Sequence, residues 1–258
     1  MNANVNWLLP NERLDDLTSY GLKIIQSREV FSFSMDAVLL ARFASVPSRG
    51  RIMDLCTGNG VVPLLLSTRT RAQIDAIELQ PRLCDMAERS VRMNGLERQI
   101  RIRQGDVRTI HRDAGCGAYD LVTVNPPYLK GNAGDKNVND HIALARHEIA
   151  CTLEEVVAAC ARLVKSGGKV AMVHRPARLA DIIVAMRQYR LEPKRVRFVH
   201  PRLGEEANMV LIEAIRDGGP EVRLLPPLIV YSAPGTYSDE IMDIYFGQSR
   251  PPAEGERQ

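Results

Sequence analysis

From residue 51 the chain repeats one unit, a short apolar strand, a turn and an amphipathic helix. RIMDL runs into CTGNG and then VVPLLLSTRT, and QIDAIEL precedes PRLCDMAERSVRMNG. IRIRQGD and YDLVTVN are two further strands. Such alternation admits few folds, because parallel neighbours need a crossover, usually a helix. Pro81 suits a first helical position and Gly95 a helix stop. Thr152 and Glu155 have capping-box spacing ahead of VVAACARLV, and Gly167 and Gly168 are expected to close that helix. KVAMVHR reads as a strand and ARLADIIVAMRQY as a helix. RVRFVHP and ANMVLIEAI follow with only a short connection, so they are expected to pair antiparallel. The predicted fold is α/β, a doubly wound, mainly parallel sheet with an antiparallel last strand.

Two segments stand outside the alternation. Residues 1–50 contain FSFSMDAVLLARFA, where Ser34 is placed to cap a helix carrying Val38, Leu39 and Leu40. Residues 217–258, with LLPPLIVYSAPGTYS and PPAEGERQ, read as an appended arm with a disordered end. That arm holds three Arg against seven acidic residues, which leaves the body at a net +7 and suits a polyanionic partner. A well-solvated basic surface is the other reading of the same charge. No apolar run approaches the ~18 residues of a membrane span, and MNANVNWLLPNERLDD lacks the pattern of a signal peptide. A cytoplasmic address follows as the expectation. The five cysteines include no CxxC pair, so reduced thiols are expected rather than a disulfide framework or a metal site.

The turn DLCTGNG, residues 54–60, follows the first strand of the alternation, where open α/β sheets bind ligands. Gly58 and Gly60 let backbone approach a ligand closely. A third glycine for a dinucleotide fingerprint is missing, since Pro63 takes its place. Asp54 precedes the turn instead, which suits a ligand with a cationic amino group better than one with phosphates. Glu78 ends the next strand and can accept hydrogen bonds from ribose hydroxyls. Asp106, in QGDV, can accept from an adenine amino group, with Val107 against the ring. A tight strand–helix turn and an ordinary GD turn are the plain alternatives.

VTVNPPYLK, residues 122–130, ends a buried strand in a stiff extended loop. The carbonyls of Asn125 and Pro126 can accept the two N–H groups of a planar amino nitrogen, with Pro127 stiffening the loop. Tyr128 can stack on a planar substrate. Such a nitrogen is a poor nucleophile until its hydrogens are held and its position fixed.

Taken in this order and spacing, DLCTGNG, IEL, QGDV and NPPY resemble the class I S-adenosylmethionine-dependent methyltransferases over roughly residues 20–215. The resemblance implies a Rossmann-like seven-stranded sheet and S-adenosyl-L-methionine as cofactor. It places Asp54, Thr57, Gly58 and Gly60 around the methionine part, Glu78 with Leu79 at the ribose, and Asp106 with Val107 at the adenine. Asn125 would touch both cofactor and substrate. The N-terminal stretch IIQSREVFSFSMDAVLLARFA is similar to the start of the tRNA1(Val) adenine-N6 methyltransferase family, where it closes over the cofactor. Gln26, Phe33 and Asp36 match that stretch, and the later ARHE (Arg146, His147, Glu148) and the ending ANMVLIEA also resemble that family.

That likeness implies N6 methylation of a tRNA adenine, the one 3′ of the valine anticodon. The histidines and cysteines lack metal-ligand spacing, so no metal is expected, and a monomer or a homodimer is. NPPY also fits glutamine-N5 enzymes acting on a protein such as a release factor, and less closely cytosine or guanine amino groups. A non-catalytic RNA-binding module that retains the fold is a third reading. Arg175, Arg178, Lys194, Arg195, Arg197 and Arg202 are candidates for RNA phosphates, and KGNAGDKNVND for a segment folding over a flipped base.

Overall fold

The structure is a computed structural model of the chain, and it describes residues 7–17, 21–30, 35–127 and 151–247. Phe33, Ser34, Tyr128, the KGNAGDKNVND segment, Arg146, His147, Glu148 and the PPAEGERQ end lie outside the described residues.

The alternation becomes a sheet of β3 (Arg51–Leu55), β4 (Gln73–Glu78), β5 (Ile100–Gln104), β6 (Tyr119–Val124), β7 (Val164–His174), β8 (Leu191–His200) and β9 (Met209–Arg216). Spatially these run β8-β9-β7-β6-β3-β4-β5. Neighbours are parallel except β9, which is antiparallel to both β7 and β8. This is the seven-stranded, mainly parallel sheet expected from the sequence. Two short strands of the arm, β10 (Arg223–Leu224) and β11 (Leu228–Ile229), add to the β8 edge, so nine strands form the whole. The arm is thus built into the sheet as far as Ile229. Its remaining parts are the hairpin β12 (Tyr231–Ala233) and β13 (Thr236–Tyr237) and a helix, α7 (Asp239–Phe246).

The helices cover both faces. On one lie α1 (Met35–Phe43), α2 (Val61–Ser67) and α3 (Pro81–Met93). On the other lie α4 (His111–Ala114), α5 (Leu153–Leu163) and α6 (Leu179–Gln188). Residues Val61 to Leu66 of α2 are all buried. A helix apolar on every side must be covered on every side, here by the sheet and by α1. Each of its three leucines contributes roughly 1.5–3 kcal/mol by burial. Helix α3 starts at Pro81, and Thr152 caps α5 in a reciprocal box with Glu155. Gly167 and Gly168 do not close α5, which stops at Leu163; they lie within β7. Val164 is already extended (ψ 138°), and β7 begins there beside Tyr119.

The N-terminal residues form a hairpin, β1 (Glu12–Leu17) with β2 (Leu22–Ser27), that the sequence pattern did not announce. It sits on α3, where Ser90 Oγ accepts from the Ile25 N–H and Asn94 Oδ1 from the Lys23 N–H. Arg89 of α3 pairs with Glu12 at 2.7 Å.

Candidate active site

The chain runs outward from β3 to β4 and β5, then returns to lay β6 on the other side of β3, so the switch point lies between β3 and β6. Registers fix what gathers there. Leu55 stands opposite Val124 on one side and Ile77 on the other, and Glu78 opposite Gln104. The four strands therefore finish level, and Asn125, the turn 56–60, Glu78 and Asp106 form one row along their carboxyl ends.

The turn is held by backbone. Thr57 donates to the Ile77 carbonyl (2.9 Å) and Gly60 to that of Thr57 (3.0 Å). Gly60 has φ 93°, and a Cβ there would come within 3.2 Å of the Ala87 Cβ on α3. Gly58 has φ 58° and faces open space. The Asn59 side chain donates to the Ile25 carbonyl (3.0 Å), tying the N-terminal hairpin to the turn. Sequence reasoning missed Asn59, although a buried amide between two glycines is a signal that it bonds locally.

Two buried carboxylates flank this turn. Glu78 accepts the Gly58 N–H and the Gln80 N–H, each at 2.9 Å. Burial nevertheless raises its pKa against those bonds. Asp54 Oδ1 accepts from the Thr123 hydroxyl at 2.6 Å, whereas Asp54 Oδ2 and the Thr57 hydroxyl are buried and, among the described residues, near each other without a well-formed hydrogen bond. Burial pushes Asp54 up to about 7; the nearby hydroxyls oppose the shift and the charge of Glu78 adds to it. A buried acid with an orphaned oxygen is relieved by a cation or donor, which fits the ammonium group of an amino-acid ligand. Thr123 was also missed; its hydroxyl inside the apolar run VTV was the available sign.

Asn125 follows β6 directly. Its Oδ1 is buried and has no hydrogen-bond partner among the described residues. Pro126 is buried behind it and Pro127 partly exposed. The Cys56 thiol lies beside Cys151; the hydrogen bond between them, together with burial, holds Cys56 well above the usual thiol range, and the same bond lowers Cys151.

The remaining site candidates divide. Gln26 is buried on β2; its amide donates to Asp15 and its Oε1 has no hydrogen-bond partner among the described residues. Asp36 is buried at the start of α1 and accepts the Ala37 N–H at 2.8 Å. Asp106 sits at the row's end clamped by Arg108, which lowers its pKa. Leu79 is exposed, while Val107 packs into the apolar cluster holding Leu55 and Ile77.

The basic candidates have other duties. Arg195 pairs with buried Glu213 at 3.0 Å and lies over the Phe43 ring. Arg197 makes two bonds to Glu240 of α7, and Lys194 binds the Gly219 and Pro220 carbonyls. These three fasten α1 and the arm, so phosphate contact would require breaking native pairs. Arg178 pairs with Asp181, Arg202 with Glu205, and exposed Arg175 reaches the Asn208 carbonyl; these three lie at the carboxyl-end rim. Among the described residues no three His, Cys, Asp or Glu side chains gather as metal ligands, and no helix is long and apolar enough to cross a membrane.

The sheet order, the glycine turn and its flanking acids define a class I S-adenosylmethionine-dependent methyltransferase. Residues 21–187 match the model of the methyltransferase small domain family. The chain belongs to that family. It is 33% identical to the tRNA1(Val) (adenine(37)-N6)-methyltransferase of Aeromonas salmonicida over 81% of this chain and 86% of that one. Among solved structures it resembles a predicted O-methyltransferase from Agrobacterium tumefaciens, with TM-score 0.66 and 23% identity over 84% of this chain and 97% of that one. It also resembles geranyl diphosphate methyltransferase in complex with S-adenosylmethionine, with TM-score 0.53 and 16% identity over 70% and 84%. Both likenesses are in the fold. The cofactor is S-adenosyl-L-methionine.

Proposed function

We propose that this methyltransferase acts on the N6 amino group of an adenine in tRNA, the adenine 3′ of the valine anticodon. The observation that carries the reading is the Oδ1 of Asn125, buried and unpartnered among the described residues, at the end of β6 and level with the glycine turn. When bound, S-adenosylmethionine supplies an electrophilic methyl group on a sulfonium sulfur. Asp54 and the turn would hold its amino-acid part, Glu78 the ribose, and Asp106 the adenine.

Asn125 accepts one N–H of the target nitrogen and the Pro126 carbonyl the other, which draws the lone pair out of conjugation with the ring. Proline stiffness keeps both acceptors in place, so positioning supplies much of the rate. The amine is neutral, so no strong base is required before transfer. The similarity to the Aeromonas enzyme supports adenine over glutamine or cytosine as the acceptor.

The test is incubation with S-adenosylmethionine and either unmodified tRNA or a release factor, followed by digestion and mass spectrometry. N6-methyladenosine in the tRNA is expected; methylglutamine in the protein, with unmodified tRNA, would reject the reading.

A further inference from the structure

A row of aromatic side chains lies outside the machinery above, along the same rim. Tyr231, Tyr237 and Tyr245 stack in sequence, with ring centroids 5.2 and 6.0 Å apart and planes within 17° and 7°. The Arg202 guanidinium extends the row, 5.7 Å from the Tyr231 ring centre. At the other end, burial, the neighbouring Tyr237 and the charge of Asp36 raise the pKa of the Tyr245 hydroxyl, so the row ends beside the start of α1.

The position follows from the backbone. Strand β11 pairs in parallel with the end of β8, Ile229 opposite His200, and Tyr231 donates its N–H to the Pro201 carbonyl at 2.9 Å. Tyr231 is therefore level with the turn just past β8, on the edge that also carries Asn125. Helix α1 starts at this edge, near Asp36, and descends toward the beginning of β3. The row thus spans the rim from the β8–β9 turn to the N-terminus of α1.

Packing alone explains the buried sides of these rings, which rest on the core. The hairpin register sets Tyr231 opposite Tyr237, so the fold accounts for that stacked pair; it does not account for an exposed arginine at the open end of the row, beside Leu203, which is 85% exposed. Planar aromatic and guanidinium surfaces are what unpaired bases stack on, with little regard to sequence. Glu240, on the same arm, is neutralised by Arg197 and so repels phosphate less.

We propose that Arg202 and Tyr231, backed by Tyr237 and Tyr245, form a stacking platform for an unpaired base flanking the target adenine in an RNA loop. The inference rests on the RNA reading above. Its test uses the full-length protein and an RNA hairpin with the target adenine in its loop and 2-aminopurine beside it. Wild type should quench the 2-aminopurine fluorescence on binding. Tyr231→Leu should lose the quench and bind the loop about tenfold more weakly, Tyr231→Phe should match wild type, and Arg202→Gln should weaken binding about threefold. Affinity for S-adenosylmethionine should stay within twofold in all three, and affinity for duplex RNA within twofold in the two Tyr231 variants.

Unchanged quench and loop affinity in both Tyr231→Leu and Arg202→Gln would overturn the platform while leaving methylation of the loop intact. A proportional loss of cofactor affinity in Tyr231→Leu would also overturn it, by showing that the ring serves packing. If Tyr231→Leu does not fold, Arg202→Gln on its exposed turn decides. A wild-type protein that leaves the loop adenine unmethylated would instead overturn the functional reading itself.

Discussion

The backbone N–H of Gly58 donates to Glu78 Oε2 at 2.9 Å, so the carboxylate expected at the ribose also holds the glycine turn closed. Its other oxygen accepts the Gln80 N–H, and both oxygens keep lone pairs for a diol. Glu78→Gln removes a buried charge but aims an amide N–H₂ at one of those donors. The relieved desolvation and the donor clash oppose each other, so the cofactor-free protein should change in stability by no more than about 1 kcal/mol. Affinity for S-adenosylmethionine should fall about tenfold or more, as two charge-assisted bonds weaken. Calorimetric titration beside thermal unfolding checks this. Lost stability with unchanged affinity would assign Glu78 to the turn alone.

Asp54 gives the site a pH dependence. In the folded protein it keeps its proton to about pH 7, whereas in the unfolded chain an aspartate ionises near pH 4. Between these values the folded state binds the extra proton, so stability of the cofactor-free protein falls as pH rises from about 4 to 7 and then levels. A cationic ligand favours the ionised form, so binding must expel that proton below pH 7. Affinity for S-adenosylmethionine should therefore rise between pH 5 and 7, by at most about tenfold per unit. In Asp54→Asn binding should be weak and its slope over this range lower. Equal slopes in variant and wild type would remove Asp54 from the ammonium contact.

Most of this architecture was legible in the chain because its signals are local. Strand–turn–helix alternation, Pro81 and the Thr152–Glu155 box each fix a nearby backbone segment, and the structure has them. What the sequence hid depends on distant partners. The pairing of β1 with β2 and their seat on α3 rest on Ser90, Asn94 and Arg89, more than sixty residues away. The arm read as an appendage because Pro-rich segments with two-residue strands carry no periodicity; only the free edge of β8 gives them a place. Within the site, the acids and glycines announced themselves by residue type. Thr123 and Asn59 did not, since their roles are defined by what lies across the sheet.

Asn125→Ala removes the orphaned acceptor at the end of β6 without adding a buried donor. If that acceptor steadies the target nitrogen as an oxyanion donor steadies its oxygen, kcat should fall about 10²-fold or more. Affinity for S-adenosylmethionine should fall far less than kcat, because Asp54, Glu78 and the glycine turn keep most of the proposed cofactor contacts while the transition state loses its acceptor. Single-turnover methylation of unmodified tRNA at saturating cofactor measures it. A near-normal rate would take Asn125 out of the chemistry.

Arg195 and Arg175 carry the same charge and should behave oppositely. Arg195 reaches Glu213, which is only 2% exposed and also accepts the N–H and hydroxyl of Ser45. Arg195→Ala leaves that carboxylate with the Ser45 bonds but no counter-charge, a change that should cost about 2 kcal/mol of stability. Because the guanidinium is turned inward, the dependence of RNA affinity on salt should stay as in wild type. Arg175 is exposed at the rim, where its guanidinium reaches the Asn208 carbonyl. Arg175→Ala should leave the melting temperature nearly unchanged while lowering the slope of log affinity against log salt by about one. Binding titrations at several salt concentrations, run beside thermal melts, separate the two. A reduced slope for Arg195→Ala at unchanged stability would return that residue to the RNA surface.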